Sequence, residues 1–250
     1  MHILLTNDDG IQAPGLRAMS DALIAAGHKV SVCAPDRERS AASHSVSIGK
    51  TYRAESVDIP GAARAWAVDG TPSDCASLGL WLLREDPADL VVSGINFGMN
   101  QGGACVYSGT VGAAMEAAMC GTQSLAVSLC VKDRKRPADY SAAARLAVRV
   151  AEWMPGYPLP IGCFYSLNVP ELPYEAIRGL VPAKLAKVFM GAPVYEAVDG
   201  GYQYRFNAPV PADDPDGDAA LTDRGYATIT KLTWDFRMPA DDSELNGIGL

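Results

Sequence analysis

The sequence predicts an α/β fold, a doubly wound and mostly parallel sheet with a β-rich extension at its C-terminal end. Two observations predict it. Up to about Pro170, short apolar strand-like runs alternate with helical periodicity in the order βα(ββ)αβαβαβ, as in sheets of parallel strands joined by crossover helices. Within that order, runs such as Leu90-Val91-Val92 are apolar at every position, as a strand covered by helices on both faces requires.

The elements follow in turn. His2–Thr6 is a short apolar strand. Residues 14–26 read as a helix: Pro14 suits a first turn, Leu16, Met19, Leu23 and Ala26 share one face, and Gly27 stops it. Lys29–Ala34 is the second strand, ended by Pro35. Residues 36–49 are polar, Ser-rich and long for a simple connection, which points to a functional loop. Residues 51–68 read as an extended hairpin, and Ser73 as the cap of a helix reaching Leu83. Asp89–Ser93 is a buried strand, followed by a Gly-rich stretch to Gly109 and a helix of small residues over Val111–Met119, closed by Gly121. Ser124–Val131 is a strand, 139–154 a helix and Cys163–Val169 a strand.

After Pro170 the composition changes. Pro and Gly become frequent, Tyr195–Val198 and Tyr202–Phe206 flank the turn signal Asp199-Gly200-Gly201, and Ala227–Thr233 alternates like a half-exposed strand. We expect one functional unit, with a core over 1–170 and an extension over 171–250 too small to hold a core of its own.

The bulk numbers narrow the function classes. The chain has 250 residues, 48% of them hydrophobic, enough to bury a large core. No apolar run approaches the ~20 residues of a membrane span, and the first residues lack a signal-peptide pattern, so a soluble cytoplasmic protein is expected. The six cysteines form no C-x-x-C, which argues against a structural zinc site and suits a reducing compartment. The formal net charge of −8 disfavours a grip on duplex nucleic acid. An anionic small substrate is compatible with it if a local cation offsets the field.

Four polar clusters follow strands and therefore point to the sheet edge where such folds bind ligands. In Asn7-Asp8-Asp9-Gly10, two adjacent carboxylates repel each other, and a shared hard cation, Mg²⁺, Mn²⁺ or Ca²⁺, relieves them. A plain solvated turn in which Asp9 caps the next helix is the alternative. Ser40, Ser43 and Ser45 lie in the long loop. Asn96, between Gly94 and Gly98, can offer its carbonyl to a metal or its amide to a phosphate, or sit in a left-handed turn. Tyr107-Ser108-Gly109-Thr110 leads into a helix, where hydroxyls and free N–H groups make an anion site or an ordinary cap. No G-x-G-x-x-G follows the first strand and no phosphate-loop motif occurs. His2 and His28 read as structural or solvated, His44 as a loop residue able to reach the cleft, and Glu116 as either solvent-facing or a support to the site.

The stretches Ile3–Gly10 (ILLTNDDG), Ala34–Ser40 (APDRERS), Val68–Leu80 (VDGTPSDCASLGL), Val92–Asn100 (VSGINFGMN) and Tyr107–Ala114 (YSGTVGAA) resemble the survival protein E (SurE) family of metal-dependent nucleotidases. Weaker similarity continues through Asn168-Val169-Pro170 and Leu221–Leu232. The resemblance implies a Rossmann-like core and one divalent cation per subunit, Mg²⁺ or Mn²⁺, held by Asp8, Asp9, Ser40 and Asn96. It implies phosphate contacts from Ser108, Gly109 and Thr110, and hydrolysis of nucleoside 5′- and often 3′-monophosphates. It also implies a homodimer or homotetramer that exchanges C-terminal segments, with no duplex nucleic acid or membrane as partner. This chain departs from the family pattern at Ala41 and Ala117, where glycine is usual, and at Lys231, where proline is usual; residues 186–207 are its least family-like part.

On that reading Asp8, Asp9 and Asn96 are the catalytic group. A cation neutralises the phosphate and orients the attacking water, Asp8 or Asp9 can accept the water's proton, and Ser108, Thr110 and the helix N-terminus bind the other oxygens. A covalent aspartyl phosphate is the chemical alternative. Two rival functions use the same cleft: a nucleotide sensor without turnover, and a zinc-dependent amide hydrolase, which would want more histidines around it.

Overall fold

The computed structural model describes residues 1–133, 135–187, 194–205 and 214–235. The elements run β1 (His2–Thr6), α1 (Pro14–Ala25), β2 (Lys29–Pro35), β3 (Ala54–Ser56), β4 (Arg64–Val68), α2 (Pro72–Leu82), β5 (Leu90–Phe97), α3 (Gly109–Met119), β6 (Ser124–Cys130), α4 (Ser141–Trp153), β7 (Cys163–Pro170), β8 (Leu180–Pro182), β9 (Val194–Val198), β10 (Gly201–Arg205), α5 (Asp218–Asp223) and β11 (Ala227–Thr233).

Nine strands form one sheet in the order β3-β4-β2-β1-β5-β6-β7-β11-β8, and β9 with β10 forms a separate hairpin. Strands β4, β2, β1, β5, β6 and β7 are parallel; β3 joins β4, and β11 joins β7, antiparallel. The fold is thus the Rossmann-like α/β architecture expected. The chain builds outward from β1 to β2 and β4, then crosses to the other side with β5. The order therefore reverses between β1 and β5, and the crevice beyond that point is where open α/β sheets bind ligands.

β1 is buried along its whole length because helices cover both faces. Ile3 and Leu5 point to the side of α1 and α4, meeting Leu16, Met19, Leu23 and Val150. Leu4 points the other way, into a layer with Cys33, Cys75, Val91 and Ala117 beneath α2 and α3. Fully burying side chains of this size contributes ~1.5–3 kcal/mol each, so the two layers set the register of the central strands. At Gly15 a Cβ would lie 2.1 Å from the Ile95 carbonyl oxygen, so only glycine lets α1 seat against β5.

Several local expectations are corrected. The cap of α2 is Thr71, not Ser73: its Oγ1 accepts from the Asp74 N–H, and Asp74 in turn accepts from the Thr71 N–H, with Pro72 in the first turn. β2 includes Pro35. β5 does not stop at Ser93 but runs on to Phe97, its register against β6 shifting between Ser93 and Asn96. α3 begins at Gly109, with Ser108 as its cap. Gly27 and Gly121 do take the left-handed conformation just past α1 and α3.

Beyond Pro170 the chain divides. β8 and β11 return to the main sheet, with α5 packed against β11 and β7, whereas among the described residues β9 and β10 pair only with each other, as a hairpin across Asp199 and Gly200. Phe206, expected to end that hairpin, lies outside the described residues. No helix among the described residues is long and apolar enough to cross a membrane.

Candidate metal and phosphate site

The turn after β1 is built by its own side chains. Asn7 is buried and folds back on Gly10, donating from Nδ2 to the Gly10 carbonyl at 2.9 Å and accepting the Gly10 N–H on Oδ1 at 3.2 Å. Gly10 holds φ at +100°, and a Cβ there would meet the Arg37 backbone at 2.9 Å, so the loop after β2 can lie directly against this turn. That loop is fixed by the Arg39 N–H donating to the Asp8 carbonyl at 2.7 Å. Asp8, Asp9 and Ser40 thus come from loops tied to each other.

Asp8 is buried, and its carboxylate faces the N-terminus of α3. The Thr110 hydroxyl donates to Oδ1 at 2.5 Å. Burial pushes the Asp8 carboxyl above its ordinary value, opposed by the Thr110 hydroxyl and by the Thr110 and Gly109 N–H groups. A Cβ on Gly109 would come within 2.8 Å of Asp8 Cβ and 2.9 Å of Pro72 Cγ, so glycine is what allows the close approach. Asp9 is half-buried and accepts the Phe97 N–H on Oδ2 at 3.0 Å, joining the β1 turn to the end of β5. It is not a helix cap; the cap position of α1 is Ala13.

Asn96 stays within β5, opposite Ser128 of β6, and not in a left-handed turn; Gly94 and Gly98 beside it carry the positive φ values. Its Nδ2 donates to the Gly98 carbonyl at 2.8 Å, so the amide nitrogen is engaged and the amide oxygen is the group that could meet a cation. Ser40 is exposed and donates to Glu38 Oε1 at 2.6 Å, leaving the lone pairs of its hydroxyl oxygen available.

The expected residues therefore occupy one edge of the sheet, around the β1–β5 switch. Two carboxylates, an amide carbonyl and a hydroxyl are hard oxygen donors suited to Mg²⁺ or Mn²⁺. No cluster of three or more His, Cys, Asp or Glu side chains able to hold a metal occurs among the described residues, so a site here depends on the mixed set. The α3 hydroxyls are placed differently from a pure phosphate clamp. Thr110 spends its proton on Asp8, while Ser108 accepts the Val111 N–H at 3.1 Å and keeps its own proton to give.

Four neighbours escaped the sequence reading. Glu38 orients Ser40. Tyr140, at the start of α4, packs against Gly15, and its phenol is pushed up to about 12 by burial and then by the charges of Asp9 and Glu171. Asn100 donates to Ser128 and is bound twice by Asn168, fixing the segment after Asn96. Gln101 donates to the Thr222 hydroxyl at 2.7 Å, tying that segment to α5. Among the loop residues, His44 meets Glu116 at 2.8 Å, and Ser43 and Ser45 serve as anchors for the loop, the former through the Val106 carbonyl at 2.7 Å. His2 pairs with Ser31 and is structural.

The fold defines a class: Rossmann-like α/β proteins whose parallel sheet reverses its strand order between β1 and β5. A family model described as survival protein SurE matches residues 3–191. The "5'-nucleotidase SurE" of Nitratidesulfovibrio vulgaris is 43% identical over 240 residues, spanning 94% of this chain and 94% of that protein. The protein of the same name from Gloeobacter violaceus is 41% identical over 242 residues, spanning 94% and 90%. The crystal structure of SurE protein from Aquifex aeolicus superposes with a TM-score of 0.79 at 30% identity, covering 95% of each chain. The chain belongs to the SurE family.

Proposed function

We propose that this protein is a metal-dependent phosphomonoesterase that hydrolyses nucleoside 5′-monophosphates, and 3′-monophosphates as well, to nucleoside and phosphate. The observation that carries the reading is the Phe97 N–H donating to Asp9 Oδ2, which ties the turn behind β1, with its two carboxylates, to the end of β5 that carries Asn96. The name 5'-nucleotidase, borne by relatives aligned over almost the whole chain, agrees with it.

Asp8, Asp9, Ser40 and Asn96 would hold one Mg²⁺ or Mn²⁺ per subunit, which when bound supplies charge neutralisation at the phosphate and a more acidic water. The chain's own groups do the rest. Asp9 is fixed by the Phe97 N–H and is the better placed carboxylate to take a proton from the attacking water, because Asp8 already accepts from Thr110 and the α3 N-terminus. Ser108 has a hydroxyl proton to donate to a phosphate oxygen, and Gly109 beside it lets Asp8 lie against the N-terminus of α3. The reaction is assigned to the cytoplasm and to a homodimer or homotetramer in which the β9–β10 hairpin reaches a partner subunit.

The test is phosphate release from nucleoside 5′- and 3′-monophosphates, with Mg²⁺ or Mn²⁺ and with chelator. Metal-dependent release supports the proposal; nucleotide binding without turnover would make the protein a sensor.

A further inference from the structure

The segment Gly70-Thr71-Pro72-Ser73-Asp74-Cys75 has no role in the chemistry above, yet Asp74 is buried and fully engaged. Its Oδ1 accepts the Ser47 N–H at 3.0 Å and lies 2.8 Å from the Tyr52 hydroxyl. Its Oδ2 accepts the Ser47 hydroxyl at 2.8 Å and the Thr71 N–H at 2.9 Å. Only the last of these belongs to the cap of α2. The other three reach the loop after β2, which carries Ser40. Thr71 adds a fourth tie, its hydroxyl donating to the Ser45 carbonyl at 2.6 Å.

The loop needs such ties. Ala41 and Ser43 sit at φ +58° and +55°, a region disfavoured for residues with a side chain. It lies across α3, where Gly112 admits the Ser43 carbonyl and the Ser43 N–H donates to the Tyr107 carbonyl at 3.0 Å. Left alone, a polar Ser-rich segment with two strained residues would relax away from the cleft.

We infer that Asp74 is a positioning residue that clamps the 40–49 loop so that Ser40 stays at the cation-binding cleft. The inference rests on the proposed cation site, and it assigns Asp74 no contact with metal or substrate. A carboxylate suits the task because it accepts four hydrogen bonds at once, and an amide in its place would turn a donor toward at least one of these donors.

The test compares wild type, Asp74→Asn, and the double variant Ser47→Ala/Tyr52→Phe, which leaves the α2 cap intact. Each chelator-treated protein is titrated with Mn²⁺ by calorimetry, and amide exchange over residues 40–50 is followed by mass spectrometry. Both variants should lose at least about tenfold of exchange protection in that segment and bind Mn²⁺ about 10–100-fold more weakly. Their kcat at saturating Mn²⁺ should stay within about threefold of wild type. Wild-type exchange and Mn²⁺ affinity in the double variant overturn the inference and leave Asp74 a helix cap, and they do so whether or not Asp74→Asn folds. A wild-type protein that binds no Mn²⁺ overturns the cation site itself, an outcome read before any variant is compared.

Discussion

Thr110 and Asp8 are joined by a 2.5 Å hydrogen bond that spans 102 residues of sequence and links the first turn of α3 to the turn behind β1. The hydroxyl is a donor to a carboxylate that burial would otherwise penalise, so one contact both satisfies Asp8 and aims it.

Replacing Thr110 with valine keeps the volume and removes that donor. Cation affinity should then fall about 10–100-fold, as for other groups that orient a ligand. If Thr110 instead served only the phosphate, turnover would drop about 10²–10³-fold with cation affinity unchanged. Calorimetry and steady-state kinetics on Thr110→Val separate the two.

Asp8→Asn and Asp9→Asn should each abolish metal-dependent phosphate release while the circular dichroism spectrum stays that of wild type. The apoprotein of Asp8→Asn should melt no lower than wild type, since a buried charge has been removed. Near-normal turnover in either variant would show that the assigned centre is wrong.

Ala41 stands where the family pattern has glycine, and its φ of +58° explains the pattern. Ala41→Gly should relieve strain of order 1 kcal/mol, raising Tm by about 2–4 °C in a chain of this size. Scanning calorimetry decides it; a lower Tm would mean that loop entropy outweighs the strain.

The Asp74 carboxyl is held below its ordinary value of 3.8. Burial acts to raise it, but the hydrogen bonds from Ser47, Thr71 and Tyr52 outweigh burial. A depressed carboxylate stabilises the fold above its unfolded pKa, and that contribution is lost as pH falls through the folded value. The Tm gap between wild type and Asp74→Asn should therefore be constant near neutrality and close in acid below 3.8. A gap that persists unchanged at pH 2 would assign the stability to packing.

The β9–β10 hairpin exposes Val194, Tyr195, Val198, Tyr202 and Tyr204, more apolar surface than a lone hairpin keeps in water. Light scattering at micromolar concentration should show a dimer or larger even-numbered oligomer. Cutting the chain at Pro170 is the wrong deletion, because it also strips β11 from β7. The Lys187 N–H donates to Asp214 Oδ2 at 3.0 Å, so residues 188–213 can be replaced by a short glycine linker without disturbing the sheet. That variant should be monomeric with its cleft intact. Unchanged association would place the interface elsewhere.

The parallel core was legible because each strand is short, apolar and bounded by a visible stop, and the placement of the candidate residues Asp8, Asp9 and Asn96 because they fall at or near strand ends. Thr71 as the cap of α2 was also legible in principle: a Thr before Pro72 and three residues before Asp74 is a capping-box pattern. The run of β5 past Gly94 was not, since two glycines read as a loop until pairing with β6 is known. Nor were the anchors of the 40–49 loop. Ser47 to Asp74 and His44 to Glu116 are contacts between residues 27 and 72 positions apart, and no local pattern encodes them. β11 looked like part of an extension because its half-exposed alternation is the same whether it pairs within a hairpin or completes a sheet.

Gly15 contributes no atom to any reaction, yet its missing side chain is what lets α1 rest on the Ile95 carbonyl, two residues before the amide that holds Asp9. A survey of tolerated substitutions across the whole chain would accordingly rank position 15 beside the carboxylates. Read without the fold, such a survey would mistake a point of mechanical contact for a chemical one.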